Sequence, residues 1–206
     1  MFTLFRFQNL AARVLFRITV APFFGSFGKR SAVLRPRGIE GIGRISIGNN
    51  VYIADGALLA AVPHTGVDRC ELRIGDGCKF GAHNHIYATR SVIFEDEVLT
   101  AGNVYVSDNG HGYDLPDTPI LRQPVQQLAP VRIGRGSWLG QNVCVIGASV
   151  GRGCVVGANS VVLSDLPDYC VAVGAPARVV RQFDAASGAW NRTGQPDAIS
   201  ALNEKG

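Results

Sequence analysis

The stretch that decides the fold is residues 133–162, IGRGSWLGQNVCVIGASVGRGCVVGANSVV. An aliphatic residue followed by a small one recurs there every six positions, with one interval shortened before Val150. A period of six matches neither the 3.6-residue period of a helix nor the two-residue period of a long strand. It predicts short strands joined by turns, with each turn leading onto the next face of a prism.

The same period extends through most of the chain. Aliphatic or related residues begin successive hexads at Ile47, Ile53, Leu59, Ile74, Phe80, Ile86, Phe94, Thr100, Val106, Ile133, Leu139, Val145, Val150, Val156 and Val162. Small or β-branched residues take the fifth place of hexads at Val51, Ala57, Cys78, Val98, Val143, Cys154 and Ser160. We expect both sets to point inward. Because one coil cannot bury its own inner face, coils must stack, which predicts an all-β solenoid.

Two places depart from the period. Residues 107–131 form an excursion that contains four prolines, Pro116, Pro119, Pro124 and Pro130. An excursion of this length is too long for a connecting turn and is typical of a functional loop. The shortened interval between Val145 and Val150 predicts a bulge or a tightened corner.

Composition excludes several classes of protein. Hydrophobic residues make up 47% of the 206 residues and glycine supplies 25 positions, which argues against a disordered chain and against a plain helical bundle. No apolar run reaches the length of about 18 residues that a membrane-spanning helix needs. The five cysteines form no C-x-x-C motif, so neither a disulfide scaffold nor a zinc ribbon fits, and a reducing compartment is favoured.

Charge is concentrated at the N-terminus, where residues 1–38 hold seven basic residues and no acidic one. Phe7, Leu10 and Val14 recur there at helical spacing, so residues 1–40 are predicted to be a basic amphipathic segment. Two interpretations stay open. In the first, residues 1–25 contact an anionic membrane surface; in the second, the helix covers the open end of the main fold. No recognition motif for nucleic acid is present, and we expect no nucleic-acid partner.

His111 is the leading candidate for catalysis. It lies in the segment S-D-N-G-H-G-Y, residues 107–113, with Asp108 three positions before it. A histidine held by a carboxylate can act as a general base. The alternative is an ordinary exposed loop histidine.

The hexads resemble those of the hexapeptide-repeat acyltransferases over about residues 41 to 183. The resemblance implies a left-handed parallel β-helix over 41–172, with three hexads per coil, the excursion loop 107–131 and a closing segment 173–206 with a short C-terminal helix. It also implies a homotrimer whose active sites lie between neighbouring chains. Residues 184–206 are expected to be a polar tail that docks through Trp190.

The segment around His111 is similar to the active-site segment of the sugar O-acetyltransferases in this superfamily, many of which have D-H-x-H there. Asn109 replaces the first histidine and His111 matches the second. The resemblance implies direct acetyl transfer from acetyl-CoA to a sugar hydroxyl, with His111 as the base, Asp108 beside it and no metal required. Asn84, His85 and Tyr113 are expected to contact the acceptor.

The donor site is expected on the last coils. Trp138 matches the family's tryptophan beside the pantetheine arm, and glycines and alanine at Gly140, Gly157 and Ala158 would line the channel. The segment VAVGAPARVVR, residues 171–181, resembles the closing motif, which implies that Pro176 shapes the site and that Arg178 and Arg181 face the CoA phosphates. Leu163-Ser164 stands where relatives commonly have Thr-Lys. Packing for the tryptophan and a solvated helix face for the arginines are the alternatives.

The resemblance therefore predicts a sugar O-acetyltransferase of surface-polysaccharide biosynthesis. The acceptor would be a nucleotide-linked or lipid-linked sugar, and the protein would work in the cytoplasm at the inner face of a membrane. An amino-sugar N-acetyltransferase is the nearest alternative. Two others stay open: a metal-dependent hydratase like the γ-class carbonic anhydrases, using His83 and His85 on one strand face, and a non-catalytic solenoid.

Overall fold

A computed structural model describes residues 2–67 and 69–193, and describes side chains from Leu10 onward. Helix α1 spans Phe2–Thr19, and three short 3₁₀ helices span Ala21–Phe23, Ile42–Arg44 and Ile120–Arg122. The end of the predicted polar tail, residues 194–206, lies outside the described residues.

Most of the chain forms stacked coils, as the hexads predict. The first four coils comprise β1 (Ser26–Phe27), β2 (Ala32–Val33), β3 (Gly38–Glu40), β4 (Ile45–Ile47), β5 (Tyr52–Ile53), β6 (Leu58–Ala61), β7 (Glu71–Ile74), β8 (Lys79–Phe80), β9 (His85–Ala88), β10 (Ser91–Phe94), β11 (Leu99–Thr100) and β12 (Tyr105–Ser107). After β13 (Asn109–His111) and β14 (Val125–Gln127), the coils resume with β15 (Val131–Ile133), β16 (Trp138–Leu139), β17 (Cys144–Ile146), β18 (Val155–Val156), β19 (Val161–Val162) and β20 (Cys170–Val173). The chain continues with β21 (Arg178–Asp184) and β22 (Ala189–Arg192).

The coils form a prism with three faces of parallel strands. The first face has the order β1-β4-β7-β10-β15, and the second runs β2-β5-β8-β11-β16-β18-β20. The third face has the order β3-β6-β9-β12-β17-β19. Each strand pairs with its counterpart one coil away, as in the register Leu59, Ile86 and Val106 on the third face.

The interior is filled by the residues that the period singled out. Every hexad-starting side chain named above is at most 2% exposed, and every named fifth-position side chain is at most 1% exposed. The rings of Phe80 and Phe94 meet edge to face at 4.9 Å, in adjacent coils. The predicted solenoid and its inward residues are confirmed.

The prism begins one coil earlier than the predicted boundary at residue 41. Phe27, Val33 and Ile39 begin three further hexads, and the N–H groups of Gly25 and Gly28 donate to the carbonyls of the second coil. The sequence signal is weaker there because each hexad start is followed by a different kind of residue, so the sequence alone predicts residues 26–40 as part of the N-terminal segment.

Helix α1 covers the open end of the prism. The ring of Phe16 lies 6.1 Å from that of Phe24 and 6.0 Å from that of Phe27. The guanidinium of Arg13 lies over Tyr52, and Arg17 donates to the carbonyl of Gly28 at 3.2 Å. The covering interpretation is therefore observed.

The opposite side of α1 exposes large apolar side chains, at Leu10, Val14, Leu15 and Ile18. Leu15 and Ile18 are 64% and 70% exposed. Within the described residues, no helix is both long and apolar enough to cross a membrane.

The C-terminal segment differs from the expected short helix. After a turn at residues 174–177, β21 pairs antiparallel with β20, and β22 pairs antiparallel with β21. The β-branched pair Val179 and Val180 favours a strand, and the unpaired edge of β20 supplies its backbone partner. Trp190 packs on Phe183 with ring centroids 5.5 Å apart, and so docks on the hairpin rather than on the coils.

Candidate active site

The excursion folds into a hairpin that carries His111. Strands β13 and β14 pair antiparallel, with Asn109 opposite Gln127 and His111 opposite Val125. The hairpin leaves the prism after β12 and the fifth coil resumes at Val131. His111 ends β13 with an exposed side chain, so its imidazole is available to a ligand.

Asp108 anchors the base of this hairpin. Its side chain is fully buried, with 0% exposure. The carboxylate accepts the backbone N–H groups of Thr89 at 2.7 Å, Arg90 at 2.8 Å and Ser91 at 2.6 Å, as well as the Thr89 hydroxyl at 3.0 Å. None of the hydrogen bonds among the described residues joins Asp108 to His111. The expectation that Asp108 orients the imidazole directly is therefore wrong, because its acceptor sites are occupied by the neighbouring coil.

Gln127 ties the hairpin to two other segments. Its amide nitrogen donates to the Asp108 carbonyl at 2.7 Å. Its amide oxygen accepts the hydroxyls of Thr65 at 2.6 Å and Thr89 at 3.1 Å. The segment that joins β6 to β7 is thereby bonded to β14 at Thr65.

A cavity of about 450 Å³ lies between the hairpin, residues 62–70 and the outer side of the third face. Its lining consists of Leu58, His64, His85, Tyr87, Tyr105, Asn109, His111 and Val125. Leu58, His85 and Tyr105 are in register on β6, β9 and β12, so they form one outward column. Two phenol and three imidazole groups give this cavity the capacity to hydrogen-bond a polar, neutral ligand.

His85 carries a buried side-chain nitrogen, Nε2, that makes no hydrogen bond within the described residues. Its ring meets that of Tyr105 edge to face at 5.2 Å. Burial lowers the pKa of His85, and Arg37 lowers it further while Glu40 opposes the shift. His85 therefore lines the cavity as predicted for an acceptor-site residue, but its Nε2 is turned away from the open space, and a contact with the acceptor stays a prediction.

Six of the eight cavity residues were not predicted as site residues, and three of these six carry aromatic rings that can hydrogen-bond: His64, Tyr87 and Tyr105. Tyr87 lies two positions after His85 and therefore on the same side of β9, a signal that the hexad register already contained. His64 stacks on Tyr87 at 6.1 Å and belongs to an insertion that lengthens the interval between Leu59 and Ile74. The lengthened hexad interval was the signal in the sequence that could have indicated a loop there, and with it His64 as a candidate residue.

Two expected acceptor contacts are not at the cavity. Asn84 is 1% exposed, donates to the Thr100 hydroxyl at 2.5 Å and accepts the Val104 N–H at 2.7 Å. Its amide is used inside the prism, so it does not contact an acceptor. Tyr113 is 74% exposed, further along the excursion, and does not line the cavity.

The histidine pair considered for a metal is not formed. His83 occupies a coil corner at a φ of 60°, before β9 begins, whereas His85 is within that strand. The two side chains therefore do not share a strand face. Among the described residues, no group of three histidine, cysteine or acidic side chains is arranged to hold a metal ion.

Trp138 lies on a different face from His111. It is on β16 of the second face, in register between Leu99 and Val155, and is 45% exposed. Leu99 is 47% exposed beside it. This apolar outer surface is of the kind that a pantetheine arm can lie on, and it does not reach the His111 cavity of the same chain.

The small residues expected to line the donor channel have stacking roles in the structure. A Cβ on Gly140 would lie 2.7 Å from the backbone nitrogen of Ala158, and one on Gly157 would lie 2.8 Å from Val173 Cγ1. Close stacking of successive coils therefore requires glycine at position 140, whereas a Cβ at position 157 would displace the Val173 side chain. Ala158 is exposed at the surface.

The closing motif forms a turn and a strand. Pro176 is exposed in the turn between β20 and β21, and Arg178 begins β21 with an exposed side chain. Arg181 is half-buried further along the same strand. The cationic end of Arg178 is thus near the end of the prism, where it is available to a phosphate group.

Comparison with known proteins identifies the class. Residues 130–164 match the family model described as the hexapeptide repeat of succinyl-transferase. The chain is 35% identical over 184 residues to Rv3034c of Mycobacterium tuberculosis, which is named as an acetyltransferase. The match covers 85% of this chain and 59% of that relative, so the chain spans little more than half of the relative's length.

A second relative matches over most of both chains. WbbJ of Escherichia coli, named as a lipopolysaccharide biosynthesis O-acetyl transferase, is 30% identical over 175 residues, covering 81% of this chain and 86% of WbbJ. Among solved structures, AntD, an N-acyltransferase from Bacillus cereus in complex with dTDP and 3-hydroxybutyryl-CoA, superposes with a TM-score of 0.67 at 22% identity, over 89% of this chain and 90% of that one.

The stacked coils, the family model and the relatives agree. The chain belongs to the hexapeptide-repeat acetyltransferases, and its prism is the left-handed parallel β-helix of that family.

Proposed function

We propose that the protein is an acetyl-CoA-dependent O-acetyltransferase that acts on a sugar hydroxyl, with His111 as the general base. The observation that carries the proposal is the placement of an exposed His111 on a hairpin over a cavity lined by neutral polar and aromatic groups. Family membership supports acetyl transfer, and WbbJ is named as an O-acetyl transferase.

His111 performs the proton transfer in this proposal. An imidazole nitrogen takes the proton of the sugar hydroxyl while the hydroxyl oxygen forms a bond to the thioester carbonyl carbon. The carbon–sulfur bond then breaks, and the imidazolium returns the proton to the departing thiolate. The acceptor is held by the ring groups of the lining, at His85, Tyr87 and Tyr105.

The lining of the cavity favours a hydroxyl over an amine. An amino sugar enters as an ammonium ion, which a carboxylate would stabilise, and no carboxylate is among the described residues that line the cavity. The likeness to AntD, an N-acyltransferase, keeps the amino-sugar N-acetyltransferase as the second candidate. Turnover on a matched hydroxyl sugar and amino sugar separates the two.

The working unit in this proposal is a homotrimer. The His111 cavity is on the outer side of the third face, and Trp138 is on the outer side of the second, so one chain does not present both to one ligand. Mixing His111→Ala and Trp138→Ala chains under refolding conditions should restore part of the activity that each lacks alone. Activity that stays at the level of the separate variants would contradict a shared site.

The acceptor and the cellular location follow from the same proposal. The acceptor is a nucleotide-linked or lipid-linked sugar of a surface polysaccharide, and five free cysteines suit a reducing cytoplasm. The exposed apolar stripe of α1, at Leu10, Val14, Leu15 and Ile18, would rest on the inner face of a membrane. The double variant Leu15→Ser/Ile18→Ser should float with anionic vesicles less than the wild type does. Equal flotation of that variant and the wild type would remove the membrane contact from the proposal.

The principal experiment measures acetyl-CoA binding by calorimetry and slow thiol release from acetyl-CoA. His111→Ala should lower thiol release about 100-fold or more, since general bases contribute that much, while acetyl-CoA affinity stays the same. His83→Asn is the matched control, because His83 is outside the cavity and asparagine tolerates its positive φ. No acetyl-CoA binding by the wild type, or unchanged release by His111→Ala, would refute the proposal.

A further inference from the structure

Three arginines line a second cleft, on the other side of residues 62–70 from the His111 cavity. This arginine cleft has a volume of about 1040 Å³ and is lined by Arg44, Gly66, Val67, Arg69, Cys70, Glu71, Arg90 and Ser91. All three arginine side chains are exposed. Within the part of the chain that the structure describes, none of the three forms an ion pair, in contrast to Arg35, Arg132, Arg135 and Arg152.

The arginines are placed together by the solenoid itself. Arg44 lies between β3 and β4, Arg69 between β6 and β7, and Arg90 between β9 and β10. These are the same corner of the prism, from the third face to the first, in three successive coils. The corners themselves stack in a row, one strand spacing of about 4.8 Å apart. In the pairing register Arg44 aligns with Glu71, and Arg90 aligns with Cys70, one residue after Arg69. The three guanidinium groups therefore reach the cleft from different positions along the corner.

The next corner in this row holds the excursion with His111. Arg90 is joined to it directly, because its backbone N–H donates to Asp108 at the base of the hairpin at 2.8 Å. Residues 62–70 separate the two spaces, with His64 in the cavity lining and Gly66 in the cleft lining. From His85 to the end of β9 at Ala88 the backbone covers about 10 Å at the usual rise of a strand, and Arg90 follows at the corner.

Resting on the proposed function, we propose that the arginine cleft binds the diphosphate of a diphosphate-linked sugar acceptor while the sugar enters the His111 cavity. Three exposed guanidinium groups around one cleft match the several anionic oxygens of a diphosphate, because each guanidinium can bind phosphate oxygens through two N–H groups. Among the described residues of the lining, the acidic side chain is Glu71, which accepts the Ser91 hydroxyl at 3.3 Å. Nucleotide-linked and isoprenoid-linked sugars share this diphosphate.

The test measures binding of inorganic pyrophosphate, UDP and geranyl diphosphate by calorimetry to the full chain. We expect Arg69→Gln and Arg90→Gln each to weaken binding of the preferred diphosphate about tenfold, and the double variant to weaken it further. Arg122→Gln, on the excursion, removes the same charge outside the cleft and should bind as the wild type does. Tighter binding of UDP than of pyrophosphate identifies a nucleotide source, and tighter binding of geranyl diphosphate identifies an isoprenoid source.

Acetyl-CoA also contains a diphosphate, so its affinity is measured with the same variants. Unchanged acetyl-CoA affinity in Arg69→Gln and Arg90→Gln, together with lost UDP or geranyl diphosphate binding, supports an acceptor site. Loss of acetyl-CoA affinity instead would assign the cleft to the donor and overturn the proposal. Two other results would also overturn the proposal: no diphosphate binding by the wild type, or an Arg122→Gln variant whose diphosphate binding is weakened as much as that of Arg69→Gln and Arg90→Gln.

Failure of the proposed function would be visible separately. If the wild type neither binds acetyl-CoA nor releases thiol while diphosphate binding still depends on Arg69 and Arg90, the anion site stands and the acetyltransferase proposal falls. If thiol release depends on His111 but diphosphates do not bind, the acetyltransferase proposal stands and the anion-site proposal falls.

Discussion

Replacing the buried carboxylate of Asp108 by an amide should loosen the hairpin that carries His111. In Asp108→Asn, one oxygen becomes an NH₂ group, which cannot accept the N–H groups of Thr89, Arg90 or Ser91 that face the carboxylate at 2.6–2.8 Å. Hydrogen bonds to a charged group contribute about 1.5–3 kcal/mol each. Loss of one or two of them therefore costs about 3 kcal/mol.

That loss should be measurable both as stability and as activity. For a chain of this size, about 1 kcal/mol shifts Tm by about 2–4 °C, so a decrease of about 6–12 °C is expected if the cost falls on global unfolding. The assay is thermal unfolding by circular dichroism, combined with thiol release and its pH profile. Asp114→Asn is the matched control, because Asp114 is exposed on the same excursion and accepts one hydrogen bond, from Gln126.

Two results would refute this reasoning. An Asp108→Asn protein with the Tm and thiol release of the wild type would show that the carboxylate anchors nothing. A shifted pH profile for thiol release with an unchanged Tm would show that Asp108 acts on the imidazole of His111, as the sequence first suggested, rather than on the backbone of the neighbouring coil.

Three further predictions concern the cavity and the prism. The pKa of His85 in the folded protein is lowered from the ordinary value of 6.5, so the unfolded chain takes up a proton at a higher pH than the folded chain does. The free energy of unfolding should therefore fall as the pH drops below about 6.5. Chemical denaturation at pH 5 and pH 7 should show a smaller fall for His85→Phe than for the wild type. Phe80→Ala, which removes a buried ring packed on Phe94, should cost about 3–5 kcal/mol in urea unfolding, and a cost under about 1 kcal/mol would contradict tight packing there. Gly147→Ala places a Cβ 2.7 Å from Leu128 Cβ at a φ of 56°, and should lower Tm and make the excursion more sensitive to trypsin; an unchanged Tm and cleavage rate would show that the segment yields freely.

Inward positions were the most predictable part of the fold. A hexad start such as Ile86 must be apolar because every coil buries it between two neighbours, and this requirement appears in the sequence as a strict period. The excursion was predictable for the complementary reason, since a loop that leaves the prism need not keep the period. Both predictions depend on local pattern alone.

Contacts made by polar side chains were less predictable. Asn84 and Asp108 each carry a group that could bind a substrate, yet both are buried and bond to backbone one coil away. Sequence spacing does not show which neighbouring coil offers an unpaired N–H group. The C-terminal hairpin was missed for a similar reason, because the partner that makes Arg178–Asp184 a strand is the free edge of β20.

The positions of the insertions indicate that the candidate sites are built on one corner of the prism, the corner from the third face to the first. The other corners are tight turns, and several contain asparagines in the left-handed region, such as Asn103, Asn142 and Asn159, whose side chains bond from coil to coil. Both long insertions, residues 62–70 and 107–131, occur at the corner from the third face to the first. The inner hexads hold the coil register on either side of each insertion, so loop length can vary there without disturbing the core. The His111 cavity and the arginine cleft are adjacent because both are built on the corner where the described residues carry these two insertions.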